Sequence, residues 1–203
     1  MYLSPFFKEF MVKITLLDKQ FSLFIPPEKI QAEVQKMADR INEDLKNEDV
    51  IFIGILNGAF MFASDLLRKI NFNAQVSFVK LTSYQGMFNS GRVKSLIGIN
   101  EDLKDKTVVI IEDIIDTGNT IESIIQQIKG FRPRQIFVVT LLLKTELYIK
   151  EKKIDYVGFE IPTDFVVGYG LDYQGYGRNL RGLYKIMEPS ENPPGNVPSQ
   201  PYF

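Results

Sequence analysis

Apolar residues fall at Ile30, Val34, Met37, Ala38, Ile41 and Leu45, three or four positions apart, after Pro26-Pro27. That spacing lays them along one face of a helix. Proline suits its first turn, because the amide it lacks would have no partner there. The pattern then changes. Residues 50–56 form an unbroken apolar run ending at Asn57-Gly58, residues 107–111 are wholly β-branched, and 136–143 is a third, largely apolar run. Short runs without alternation predict strands buried on both faces, as in the centre of a parallel sheet. Between them, 60–70 predicts a second helix and 74–81 another strand. Ile121, Ile124, Ile125 and Ile128 predict a third helix ending at Gly130. Residues 154–159 and 166–169 predict shorter strands, while 82–95, polar and containing glycine, predicts a loop. Alternation of strand and helix predicts an α/β domain with a mostly parallel sheet. No internal repeat or second domain is visible, only a small lobe formed from the two chain ends.

Composition narrows what such a domain can do. A chain of 203 residues is one domain. It reads as residues 1–188, with 1–10 an extension ahead of Met11. In the tail, 189–203, Pro189, Pro193, Pro194, Pro198 and Pro201 lie among Ser, Asn, Gln and Gly, which cannot form regular helix or sheet. No apolar run approaches the roughly 18 residues of a membrane-spanning helix. The N-terminal stretch carries Lys8, Glu9 and Lys13 among its apolar residues, a poor secretory signal, so a cytoplasmic protein is expected. Counts of His 0 and Cys 0 exclude Ser-His-Asp and Cys-His catalysis, His- or Cys-ligated zinc, iron–sulfur clusters and disulfides. Acid–base work falls to Asp, Glu, Lys or Tyr, and any metal is a hard cation held by oxygen. A net charge of -1 and a pI of 5.7 count against a nucleic-acid partner.

Open α/β sheets bind ligands beyond the carboxyl ends of their strands. After Ile111 the chain runs into Glu112-Asp113, two further apolar residues, and then Asp116-Thr117-Gly118-Asn119-Thr120 at the start of the third helix. The amides of such a turn, its Thr hydroxyls and the helix N-terminus can wrap a small anion. Glu112 and Asp113 stand where neighbouring sugar hydroxyls could donate to them. No Gly-Lys-[Ser/Thr] follows, so this is not a nucleoside-triphosphatase loop. A simple helix cap would account for Thr117 or Asn119, but not for a Glu-Asp pair at the mouth of a buried strand. Asp116-Thr117-Gly118 is also the aspartic-protease tripeptide. That chemistry needs two Asp sharing a proton, and the tripeptide occurs once.

The segment from Glu112 to Thr120 resembles the phosphoribosyl-diphosphate loop of purine phosphoribosyltransferases, specifically the hypoxanthine-guanine branch. Ser83-Tyr84, followed by Gly91-Arg92-Val93-Lys94, is similar to the family's mobile catalytic loop. Lys144 after Leu141-Leu142-Leu143 is similar to its purine-binding lysine. Leu56-Asn57-Gly58-Ala59 is similar to its diphosphate loop, where the family makes a non-proline cis peptide. Residues 158–162 and 165–178 resemble its base-binding and C-terminal segment. The resemblance spans roughly residues 20 to 187 in separate motifs.

What the resemblance implies is specific. The fold is expected to be the type I phosphoribosyltransferase fold: α/β, a mostly parallel twisted sheet flanked by helices, with a small lobe from the chain ends. The expected reaction joins hypoxanthine or guanine to 5-phosphoribosyl 1-diphosphate, giving IMP or GMP and diphosphate. Glu112 and Asp113 would hold the ribose hydroxyls, and Asp116, Thr117, Gly118, Asn119 and Thr120 the 5′-phosphate. Asp116 would also be the general base at purine N7, with Ser83 and Tyr84 on the closing loop. Leu56, Asn57, Gly58 and Arg178 would bind diphosphate, and Lys144, Phe165, Val166 and Asp172 the purine. Magnesium would be the cofactor, with Asp172, Glu112 and Asp113 as its protein carboxylates. Asn57 and Asn119 stand where the family often carries a cation, which bears on affinity rather than chemistry. A homodimer or homotetramer is expected, with no nucleic acid and no membrane as partner. The alternatives are an RNA-binding regulator on the same fold, which needs a basic face, and a transferase for xanthine, adenine or uracil. Lys144 and the Phe165-Val166 segment favour a 6-oxopurine.

Overall fold

The apolar runs become the centre of a six-stranded sheet. The structure, a computed structural model, describes residues 12–83, 93–97 and 99–187. The N-terminal extension, Tyr84, Gly91, Arg92 and the Pro-rich tail therefore lie outside the described residues. The chain proceeds through β1 (Lys13–Leu16), β2 (Lys19–Ile25), α1 (Pro27–Leu45), β3 (Val50–Leu56), α2 (Phe60–Leu67), β4 (Ala74–Ser83) and β5 (Val93–Ile97). It continues through β6 (Thr107–Ile115), α3 (Asn119–Lys129), β7 (Gln135–Lys144), β8 (Tyr156–Ile161), β9 (Val166–Val167) and β10 (Leu183–Ile186). The main sheet has the order β5-β4-β3-β6-β7-β8, parallel from β4 to β8, with β5 antiparallel at one edge.

Successive side chains of a strand point to opposite faces, and here both faces are covered. Val50 and Phe52 of β3 pack with Ile30, Val34, Met37 and Ile41 of α1 and with Phe62 and Leu66 of α2. Ile51, Ile53 and Ile55 pack on the other side with Ile121, Ile124 and Ile128 of α3. This explains why the strand reads as continuously apolar. The six positions assigned to one face of α1 are its six buried residues.

Several elements differ from the sequence pattern. β6 does not stop at Ile111 but continues to Ile115, because β7 goes on pairing with it through Glu112↔Thr140 and Ile115↔Leu143. The acidic pair therefore lies within a buried strand. Part of the expected loop 82–95 is strand: β4 reaches Ser83, and β5 returns against it with Thr82↔Lys94 and Ser83↔Val93. Backbone pairing in an edge hairpin needs no apolar side chain, so the polar composition concealed it. The second helix ends at Leu67, short of the expected 70. The strand expected at 154–159 is shifted to Tyr156–Ile161, with Ile154 still buried. Residues 166–169 do not join the main sheet. Val166 and Val167 pair instead with β10, in an antiparallel sheet of order β1-β2-β10-β9. That sheet is the lobe built from the chain ends, packed around Phe21, Val167, Leu180 and Tyr184.

Candidate active site

The carboxyl ends of β3, β6 and β7 meet at one edge of the sheet, and their continuations form the site. From β6 come Glu112 and Asp113, both buried. Asp116, Thr117 and Gly118 turn into α3, whose N-terminus has no side-chain cap and borders a cavity lined by Glu112 and residues 114–121. Gly118 has φ 79, the left-handed region open to glycine at no steric cost. Asp116, Thr117, Gly118, Asn119 and Thr120, expected to form an anion loop, all line this one cavity.

The two carboxylates of β6 sit in different surroundings. Glu112 Oε2 is buried with no hydrogen-bond partner among the described residues. Burial, and then the neighbouring Asp113 charge, hold its carboxyl well above the usual range. Asp113 Oδ1 accepts from the Ile114 amide at 3.0 Å, yet burial still pushes this group up to about 6. An orphaned acceptor beside a half-satisfied one is what a ligand with paired hydroxyls would complete.

This shift has a measurable consequence. Asp in an unfolded chain ionises near pH ~3.9, so the folded protein holds the Asp113 proton more tightly. The corresponding stability is fully present below the unfolded value and is lost as pH rises through about 6. Asp113→Asn cannot titrate, so it should gain stability relative to the parent as pH is raised from about 4 to 7. Paired melting curves across that range check this. A constant difference in Tm would contradict the shift.

The loop after β3 is fitted against Asp113. A Cβ at Gly58 would lie 1.6 Å from Asp113 Oδ2, so any side chain there would displace that carboxylate. On its other side the backbone of Gly170 approaches so closely that a Cβ there would lie 2.0 Å from the Gly58 carbonyl oxygen. The Leu56-Asn57 peptide is cis, as the family resemblance implies, and Asn57 is exposed. Gly170 itself, at φ 103, was not singled out by sequence reasoning.

From β7, Lys144 is buried, and its Nζ lies 2.9 Å from Asp116 Oδ1 on a half-exposed carboxylate. Phe165 leaves 44% of its surface open and packs edge-on against Tyr173, ring centroids 6.0 Å apart. Val166 is buried next to it. Arg178 donates to the Gly170 carbonyl at 2.7 Å and pairs with Asp172 at 2.5 Å, while Asp172 also accepts from the Gly175 amide. Asp172 and Arg178 therefore form one unit bracing the Gly170 turn. Ser83 ends β4 beside Val93; the expected role of Tyr84 lies outside the described residues.

Two further features were not legible in the sequence. Tyr169 donates to Asp65 Oδ2 at 2.6 Å, and Gln31 donates to the same oxygen at 2.5 Å. This ties the base-side segment to α1 and to α2, the helix that follows the Gly58 loop. Tyr148 and Lys150 pack over Gly118. Each contact joins residues far apart in the chain, so no local pattern announces it.

Among the described residues no three carboxylates converge into a cation cage. Glu112 offers an unpartnered oxygen, while Asp172 is already engaged by Arg178 and Gly175. That donor set suits a magnesium ion held mostly by ligand oxygens and water, with few protein contacts.

A parallel sheet covered on both faces, with a buried acidic pair and a turn into a helix N-terminus at its carboxyl end, is the architecture of an α/β phosphoribosyltransferase-type domain. Residues 27–174 match the phosphoribosyl transferase domain, and the chain belongs to that family. It is 35% identical over 168 residues to the hypoxanthine phosphoribosyltransferase of Escherichia coli strain K12, covering 81% of this chain and 94% of that protein. It is equally 35% identical to the hypoxanthine-guanine phosphoribosyltransferase of Aquifex aeolicus, over 84% of this chain and 97% of the relative. A crystal structure of a hypoxanthine-guanine phosphoribosyltransferase from Bacillus anthracis superposes with a TM-score of 0.76 at 33% identity, covering 82% of this chain and 96% of that one.

Proposed function

We propose that the protein transfers the phosphoribosyl group of 5-phosphoribosyl 1-diphosphate to hypoxanthine, and to guanine, forming IMP or GMP and releasing diphosphate. The observation that carries this reading is the Lys144–Asp116 pair, 2.9 Å apart beside the anion loop. It sets a donor and an acceptor side by side. A 6-oxopurine presents O6 next to N7, so Lys144 can donate to the oxygen while Asp116 accepts the N7 proton. Loss of that proton makes N9 the nucleophile that attacks the anomeric carbon as diphosphate leaves. Glu112 and Asp113 accept from the ribose hydroxyls, and residues 116–120 hold the 5′-phosphate. Phe165 covers one face of the base by stacking, and the Val166 backbone meets its edge. Arg178 and the Asn57-Gly58 loop meet the diphosphate. A magnesium ion bound to the diphosphate would neutralise charge on the leaving group, with Glu112, Asp113 and Asp172 the residues that would hold it. Ser83 and the loop after β4 would close over the reacting centre and exclude water.

Substrates this highly charged do not cross a bilayer unaided, which suits a cytoplasmic enzyme. We further infer a homodimer or homotetramer, to be checked by sedimentation. The function is tested by assaying purified protein with radiolabelled hypoxanthine, guanine, xanthine, adenine, uracil and orotate. Turnover of hypoxanthine and guanine is expected. Turnover of adenine, uracil or orotate alone would overturn the reading.

Asn57→Lys should strengthen product inhibition by diphosphate about two- to fivefold, the worth of one added, exposed cation beside a multiply charged anion. The effect should fade as salt is raised. Inhibition that is unchanged at every ionic strength would mean that this side chain points away from the leaving group.

A further inference from the structure

The cavity at the start of α3 is unbalanced in charge. Its lining includes the carboxyl groups of Glu112 and Asp116 and, among the described residues, no basic side chain, whereas a 5′-phosphate carries nearly two negative charges at neutral pH. Amides and a helix N-terminus supply only partial positive charge. A full compensating charge can come from beyond the lining, and two lysines lie close to the loop, one at the end of β7 and one in the segment that follows it. One is Lys144, held by Asp116. The other is Lys150. Its stem packs over Gly118, where a Cβ would lie 3.2 Å from the Lys150 Cγ and 2.5 Å from the Tyr148 ring. The segment is pinned there. The amides of Leu147 and Tyr148 donate to the Lys144 carbonyl at 3.0 and 3.1 Å, and the Tyr148 hydroxyl donates to the Lys152 carbonyl. The Lys150 ammonium lies 2.8 Å from Glu122 Oε2 in the first turn of α3.

We propose that Lys150 is the counter-charge of the bound 5′-phosphate, parked on Glu122 in the free protein and turned toward the phosphate when it binds. The inference rests on reading this cavity as a phosphoribosyl site. A compact ammonium on a flexible four-carbon stem can exchange one acceptor for another without moving the backbone. The phosphate, with nearly twice the charge, attracts it more strongly than a half-exposed carboxylate does. Glu122 thereby keeps the lysine oriented over the loop before the ligand arrives.

The test is calorimetric binding of IMP and of inosine, which differ only in the phosphate. Lys150→Gln should weaken IMP about fivefold or more, as expected for losing one partly exposed charged contact, and leave inosine unchanged. Lys150→Arg should retain most of the affinity for IMP. Glu122→Gln, which frees the ammonium and removes a negative charge, should tighten IMP, and it serves if the Lys150 variant fails to fold. Equal weakening of inosine and IMP by Lys150→Gln, or no change in IMP binding in either the Lys150→Gln or the Glu122→Gln variant, would overturn the assignment. A parent protein that binds no IMP at all would instead overturn the phosphoribosyl reading on which it rests.

Discussion

Asp116→Asn is expected to lower turnover of hypoxanthine about 10²- to 10⁴-fold, the usual worth of a general base, while both substrates bind within a few-fold of the parent. The geometry makes this a clean substitution. Asp116 is half exposed, and one of its oxygens meets the Lys144 ammonium at 2.9 Å. The amide oxygen of Asn can accept that same hydrogen bond, so the lysine and the loop keep their places. What disappears is the capacity to take a proton from N7. Steady-state kinetics separate the two effects, because loss of a group needed only in the transition state lowers kcat and kcat/KM together. Turnover within a few-fold of the parent would remove Asp116 from the mechanism.

The second large effect concerns the base. The Lys144 ammonium is buried at the end of β7 and has three donors and no acceptor. It can donate to O6 of hypoxanthine or guanine, but it has nothing to offer the amino group of adenine. Sites built to hydrogen-bond one group reject a mismatched analogue by as much as about 10⁴-fold, because their own buried polar atoms are left unpaired. Adenine should therefore be essentially inert with the parent protein. Lys144→Ala should reduce kcat/KM for both 6-oxopurines by about 10- to 100-fold, the worth of a charged hydrogen bond. Binding of phosphoribosyl diphosphate, measured in the absence of base, should barely change. Robust adenine turnover by the parent, or a Lys144→Ala variant as active as the parent on hypoxanthine, would refute this role.

Much of the candidate site was legible because its parts are contiguous. Glu112, Asp113 and residues 116–120 follow one another along a strand, a turn and a helix start, so chain order alone puts them side by side. Lys144 was legible for a similar reason, as a charge ending an apolar run. Gly58 was noticed as part of a loop, but not its closeness to Asp113, whose carboxylate reaches the same place from a different strand.

Local pattern was enough for the two-faced central strands, the buried stripe of α1 and the strand–helix alternation from α1 to β7, but not for β1, β2, β5 or β10. The former follow from periodicities that any short window of chain displays, because burying an apolar face against a neighbour is their common cause. That β9 pairs with β10 outside the main sheet, and that β5 returns along β4, emerges only in three dimensions, since backbone pairing is indifferent to side-chain polarity. The same holds for Gly170 against Gly58, Tyr169 on Asp65 and Lys150 over Gly118. Each is a meeting of segments that lie far apart along the chain. Such contacts depend on distances between elements, which the local pattern of residues does not encode.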